Sequence, residues 1–167
     1  MDSSDIPAAR AFLEAHIDSS VYLLANMMDL GIRSTSSPRS GNFLLIEEGR
    51  HVAGVFCLTL RGDLLAQTGG REEFAPLILE ACRAEGPAVV SVLAEWTLAE
   101  ALWAALAPEP GFTPVYECKS IVYGITRVPA ARSVSEGIVI WEMTMADYDA
   151  WEPVDRAFCA EEGLAVM

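Results

Sequence analysis

Residues 64–94 constrain the fold more than any other stretch of the chain. Leu64-Leu65-Ala66-Gln67 reads as a short apolar strand, Thr68 to Glu73 as the turn into a helix, and Ala88-Val89-Val90-Ser91-Val92-Leu93-Ala94 as another strand. Between them Phe74, Leu77, Ile78, Ala81 and Cys82 recur at the spacing of one helical face, and Gly86 closes the segment. Pro76 falls in the first turns, where its missing N–H is tolerated. Strand, helix and strand in this order require a crossover, so the two strands are expected to run parallel. The nearly continuous apolar run 88–94 predicts a strand buried on both faces.

The glycine pair Gly69-Gly70 gives the turn a second meaning. A strand that ends in glycines and opens a helix presents free backbone N–H groups, a ready anion site. Glu72 and Glu73 oppose that reading: in the first helical turn they complement the dipole themselves and repel a phosphate. A plain turn before an acid-capped helix comes ahead of a phosphate cradle.

Upstream, Asp5-Ile6-Pro7 predicts a helix start with Phe12, Leu13 and Ile17 on its apolar face. A break at His16 to Ser20 follows, with Ser19 or Ser20 capping a second helix that carries Leu23, Leu24, Met27 and Met28 and ends at Gly31. His16 lacks a carboxylate or cysteine partner in the sequence and reads as a packing or surface residue sooner than a catalytic one. Residues 33–41, rich in Ser, Pro and Gly, form a loop whose Arg33 and Arg39 are locally basic. Residues 42–46, 51–60 and 64–67 then read as three strands joined by tight turns at Glu48-Gly49-Arg50 and Arg61-Gly62-Asp63, an antiparallel meander. His51 lies beside the first turn and is expected to be exposed.

Downstream, Thr97 and Glu100 form a T-x-x-E capping box for a helix with Leu98, Leu102, Ala105 and Leu106 on one face, stopping before Pro108. Residues 115–125 read as one long strand or two short ones; Tyr116 and Tyr123 there are core aromatics before they are acids. Residues 127–137 read as a linker, 138–141 as a strand, and Thr144-Met145-Ala146-Asp147 as a second capping-box start for a helix to about Gly163.

Composition narrows the partners. Eleven basic against 24 acidic residues leave a formal net charge of -13, which opposes nucleic acid and anionic membranes. No run has the ~20 apolar residues of a membrane span. The acidic start Met1 to Asp5 lacks the basic and apolar regions of a secretory signal, so a cytoplasmic location is expected. Cys57, Cys82, Cys118 and Cys159 sit in apolar patterns without CxxC spacing and read as buried thiols; no metal site is expected.

The element order, two helices, three antiparallel strands, helix, strand, helix and strand, resembles the GNAT acyltransferase superfamily after its first strand. The resemblance implies a mixed α/β (α+β) sheet, a meander followed by a parallel strand pair, with helices on both faces. Family members hold acyl-CoA where two parallel strands splay, over a Q/R-x-x-G-x-G/A pyrophosphate loop at the position of Gln67-Thr68-Gly69-Gly70, of which the Gln and one Gly match. It therefore implies acetyl-CoA as cofactor at Leu65, Gln67, Thr68, Gly69, Gly70 and Arg71, and a small amine as acceptor. Strand backbone near Leu65 to Gln67 and Val92 to Ala94 would polarise the thioester carbonyl. Ala101-Leu102-Trp103 with Gly111-Phe112 resembles a second signature, A-x-x-L-Y-x-x-x-G-F, whose tyrosine acts as general acid. Trp103 stands in its place and has no titratable proton for that role. Glu95, at the end of the buried strand, and Glu117 are candidate bases, each reading first as an ordinary surface acid, and Tyr116 is a candidate acid that reads first as a packing residue.

Residues 11–128 are more similar still to the degenerate N-terminal half of bacterial tandem-GNAT proteins, through Phe12 to His16, Tyr22 to Asn26, the 49–55 hairpin and Leu102-Trp103. On that resemblance 1–126 is a degenerate GNAT-like domain, and 138–167 resembles the truncated start of a second one. The expected function is the non-catalytic N-terminal half of an acyltransferase; a stand-alone scaffold or dimerisation module is the alternative, and a binder of small basic ligands a third. Trp151, Val154 and Phe158 on the last helix predict a homodimer or a missing C-terminal domain.

Overall fold

A computed structural model describes residues 1–108 and 143–161, with side chains to 158. The chain divides into two units, Met1–Ile125 and Thr126–Met167. In the first, α1 (Ile6–Ala15) and α2 (Ile17–Leu30) precede β1 (Gly41–Glu48), β2 (His51–Thr59) and β3 (Asp63–Gln67). A 3-10 turn, Glu72–Phe74, then leads into α3 (Ala75–Glu85), β4 (Ser91–Ala94) and α4 (Trp96–Leu106). The sheet order is β1-β2-β3-β4, with β1, β2 and β3 antiparallel and β4 parallel to β3. The fold is thus mixed α/β, a meander followed by a parallel pair.

Strand alternation sends side chains to two separate cores. Phe56, Leu58, Leu64 and Ala66 pack with Ile78, Leu79 and Cys82 of α3 and with Leu98, Leu102 and Leu106 of α4. Phe43, Val55, Cys57 and Leu65 face the other way, onto Ala9 and Leu13 of α1 and Leu23, Leu24 and Met27 of α2. Helices therefore cover both faces, and each fully buried Leu, Phe or Met contributes about 1.5–3 kcal/mol. A bulge interrupts the alternation: Ile46 pairs with Gly54 and Glu47 with Val52, leaving Ala53 extra. Beyond it Val52 joins the α1–α2 core and Ala53 the other.

Several local expectations are corrected. The break between the first two helices is His16 alone: Ser20 is fully buried inside α2, and Ser19 is a helical residue whose hydroxyl serves β3. The 3-10 turn delays and rotates α3, so Leu79 enters the core in place of the exposed Leu77, and Glu72 and Glu73 precede α3. β4 is not buried on both faces. It spans only Ser91–Ala94, with the exposed Val90 before it; Leu93 points away from the α3–α4 core and is exposed, since among the described residues α1 packs over β2 and α2 over β3. Thr97 caps nothing: α4 starts at Trp96, Glu95 holds the cap position without a side-chain bond, and Ala105 faces solvent. The start of β4 is tied to β3 by the Ser91 hydroxyl, which donates to Asp63 Oδ1 at 2.6 Å.

In the second unit Thr144 and Asp147 form the capping box read from the sequence, before a 3-10 turn Met145–Asp147 and α5 (Tyr148–Glu161). Tyr148, Trp151, Val154 and Phe158 of α5 are exposed. The expected strands at 115–125 and 138–141 and the linker 127–137 lie outside the described residues, as do Tyr116, Glu117, Cys118 and Tyr123.

Candidate functional site

The turn from β3 to α3 lies where the sequence places it, and its groups are engaged with one another. Gln67 is fully buried on the α1–α2 face of the sheet. Its Nε2 donates to the Ser19 hydroxyl of α2 at 2.6 Å. Its Oε1 accepts from the Gly69 N–H, also at 2.6 Å. A carboxamide oxygen thus fills the acceptor position that a loop amide would offer an anion. The Thr68 hydroxyl donates to the Arg71 carbonyl at 3.0 Å, which closes the loop on itself.

Gly69 and Gly70 have φ of 63 and 81, left-handed values that glycine adopts without strain. Each is also closely approached. A Cβ at Gly69 would meet His16 Nε2 at 3.0 Å, and one at Gly70 would meet Glu95 Oε1 at 3.3 Å. The pair is therefore flanked by an imidazole from the α1–α2 joint and a carboxylate from the β4–α4 joint. His16 Nδ1 lies 2.9 Å from the Phe12 carbonyl. A carbonyl only accepts, so Nδ1 donates this bond, and Nε2 is the ring nitrogen nearest Gly69.

Arg71, the loop's cation, is committed elsewhere. Its two terminal nitrogens meet the two Glu48 oxygens at 2.7 and 2.9 Å, and its Nε meets Glu73 at 2.8 Å. The guanidinium lies 4.3 Å over the Phe74 ring. The bidentate Glu48 bond raises the Arg71 pKa still further and holds the Glu48 carboxyl below the usual carboxylate range. Glu73 is held low by a backbone hydrogen bond first and by Arg71 second. Between α1, the β1–β2 hairpin and this loop lies an open concavity of about 310 Å³, lined by Phe12, His16, His51, Val52, Thr68 and Arg71 among others.

The predicted residues therefore divide. Gln67, Thr68, Gly69, Gly70 and Arg71 share one loop, with Glu95 beside it. Leu65 is apart from them, its side chain in the α1–α2 core. Glu95 stands at Gly70, so it puts a carboxylate where a pyrophosphate would sit. As folded, the loop does not fit an anion: one amide is taken, the cation is neutralised by two carboxylates, and a third carboxylate stands at Gly70. Sequence reading brought none of His16, Ser19 and Glu48 to this loop, and Glu48 reaches Arg71 from 23 positions away. His16 comes to the loop only through tertiary contact, and Ser19 binds a residue 48 positions away. The i, i+2 spacing of Gln67 and Gly69 was the one local signal, since a side-chain acceptor two residues before a left-handed glycine can close onto its amide. Among the described residues no group of three His, Cys, Asp or Glu side chains is placed to hold a metal, and no helix is long and apolar enough to cross a membrane. No protein-family model, curated protein or solved structure matches the chain, so the functional reading rests on its own residues.

Proposed function

We propose that this chain is a GNAT-like module that does not itself bind acetyl-CoA, and that it serves as the non-catalytic N-terminal half of a cytoplasmic acyltransferase acting on an amine. The observation that carries this reading is the bond from the Gly69 N–H to Gln67 Oε1, in a loop whose Arg71 is held by Glu48 and Glu73. An incoming pyrophosphate would have to displace a buried carboxamide, break a bidentate ion pair and approach Glu95. Trp103 offers no acid for a CoA thiolate. Catalysis then belongs to a second GNAT domain joined to this one. A stand-alone scaffold is the second reading, favoured by the exposed apolar side chains of α5, which suit a partner.

The test is calorimetric titration of the chain with acetyl-CoA at low salt, where a weak anionic ligand binds best. The proposal expects no heat and no rise in melting temperature. Micromolar binding would overturn it and return Gln67 to Arg71 to the role of a phosphate cradle.

A further inference from the structure

The outer side of α2 carries a row of apolar side chains that the fold does not use. Ile17, Val21 and Met28 are 44%, 51% and 62% exposed, and the exposed Ala25 continues the row between Val21 and Met28. At 100° per residue, positions 17, 21, 25 and 28 fall within about 80° of one another, one ridge along the helix. Such a ridge is the element that a second helix packs against, and the small Ala25 allows close approach. Along one flank, about 100–120° from Ile17, stand Asp18 and Asp29, and beyond them Tyr22. Neither aspartate forms an ion pair among the described residues, and Tyr22 is exposed.

Charge selects the occupant. A second copy of this chain would bring a net charge of -13 and its own Asp18 and Asp29 to the same contact, where like charges are costly. A helix with an apolar stripe beside a lysine- or arginine-rich flank satisfies both halves of the surface, the ridge by burial and the aspartates by charge. We infer that the Ile17–Val21–Ala25–Met28 ridge of α2 docks a basic amphipathic helix of another protein. This extends the scaffold reading by naming the partner class, and it stands or falls separately from the acetyl-CoA titration, which probes a different surface.

The test uses two labelled peptides of Leu and Lys, each of about 18 residues and the same composition: one patterned as an amphipathic helix, the other scrambled. Anisotropy is read against the 167-residue chain at near-physiological salt, where charge alone is largely screened. The patterned peptide should bind about tenfold tighter than the scrambled one. Val21→Ser with Met28→Ser should remove that preference without changing the melting temperature, since both side chains are exposed. Asp18→Asn with Asp29→Asn should weaken the patterned peptide and flatten its salt dependence. Equal affinity for the two peptides overturns the inference, as does a preference that survives the serine substitutions. A dimer in sedimentation velocity that those serines dissolve also overturns it, by placing a second copy on the ridge.

Discussion

Gln67 joins two elements with one side chain: its nitrogen reaches α2 through Ser19, and its oxygen closes the glycine turn at Gly69. The side chain itself is fully buried, so truncation would remove both of its hydrogen bonds and empty the space it fills, while Ser19 and Gly69, which are exposed, turn to water. Gln67→Ala is predicted to cost about 1–3 kcal/mol, read as a lower urea midpoint with unchanged slope. The thiols provide a second test at this scale. Burial pushes Cys57 up to about 12 and Cys82 up to about 11 from an ordinary value of 9.0. A raised native pKa stabilises the fold fully below the unfolded value and loses that contribution as pH rises through the native one. Unfolding free energy should therefore fall as pH rises from 9.0 toward 12, and less so in a Cys57→Ala, Cys82→Ala variant compared with its own value at neutral pH. A parallel decline in both proteins would contradict the assignment.

Among the elements, periodicity made the meander and the helices legible because each strand and helix turns an apolar set to its core. Boundaries were less legible, and the boundaries set the faces. The 3-10 turn at 72–74 starts α3 late and exchanges Leu77 for Leu79; α4 begins one residue before Thr97, so a sound capping-box pattern goes unused. The capping box at Thr144 and Asp147 forms as read, since it depends only on its own four residues. The corrected faces predict different costs for similar substitutions. Leu102→Ala, fully buried between α4 and the sheet, should cost about 2–5 kcal/mol. Leu77→Ala, on the exposed side of α3, should stay within about 0.5 kcal/mol. Paired denaturation curves check both, and equal losses would restore the face read from the sequence alone.

For the whole molecule, charge and topology were the legible quantities. The crossover at 64–94 fixed the parallel pair, and the acidic excess gave the charge used in choosing the partner for α2. The candidate site was legible as a stretch but not as a state. Residues 67–71 form the turn named in advance, whereas its closure depends on Ser19 of α2 and Glu48 of β1, which tertiary folding brings to it, and Glu95 stands beside Gly70. The most direct test of that closure is the Gly69 amide itself, followed by ¹H–¹⁵N correlation and hydrogen exchange with and without acetyl-CoA. A closed loop predicts a slowly exchanging Gly69 amide that acetyl-CoA does not shift, and faster exchange in Gln67→Ala. A rapidly exchanging Gly69 amide, or one that moves with acetyl-CoA, would contradict the central claim that the loop is occupied by its own side chain.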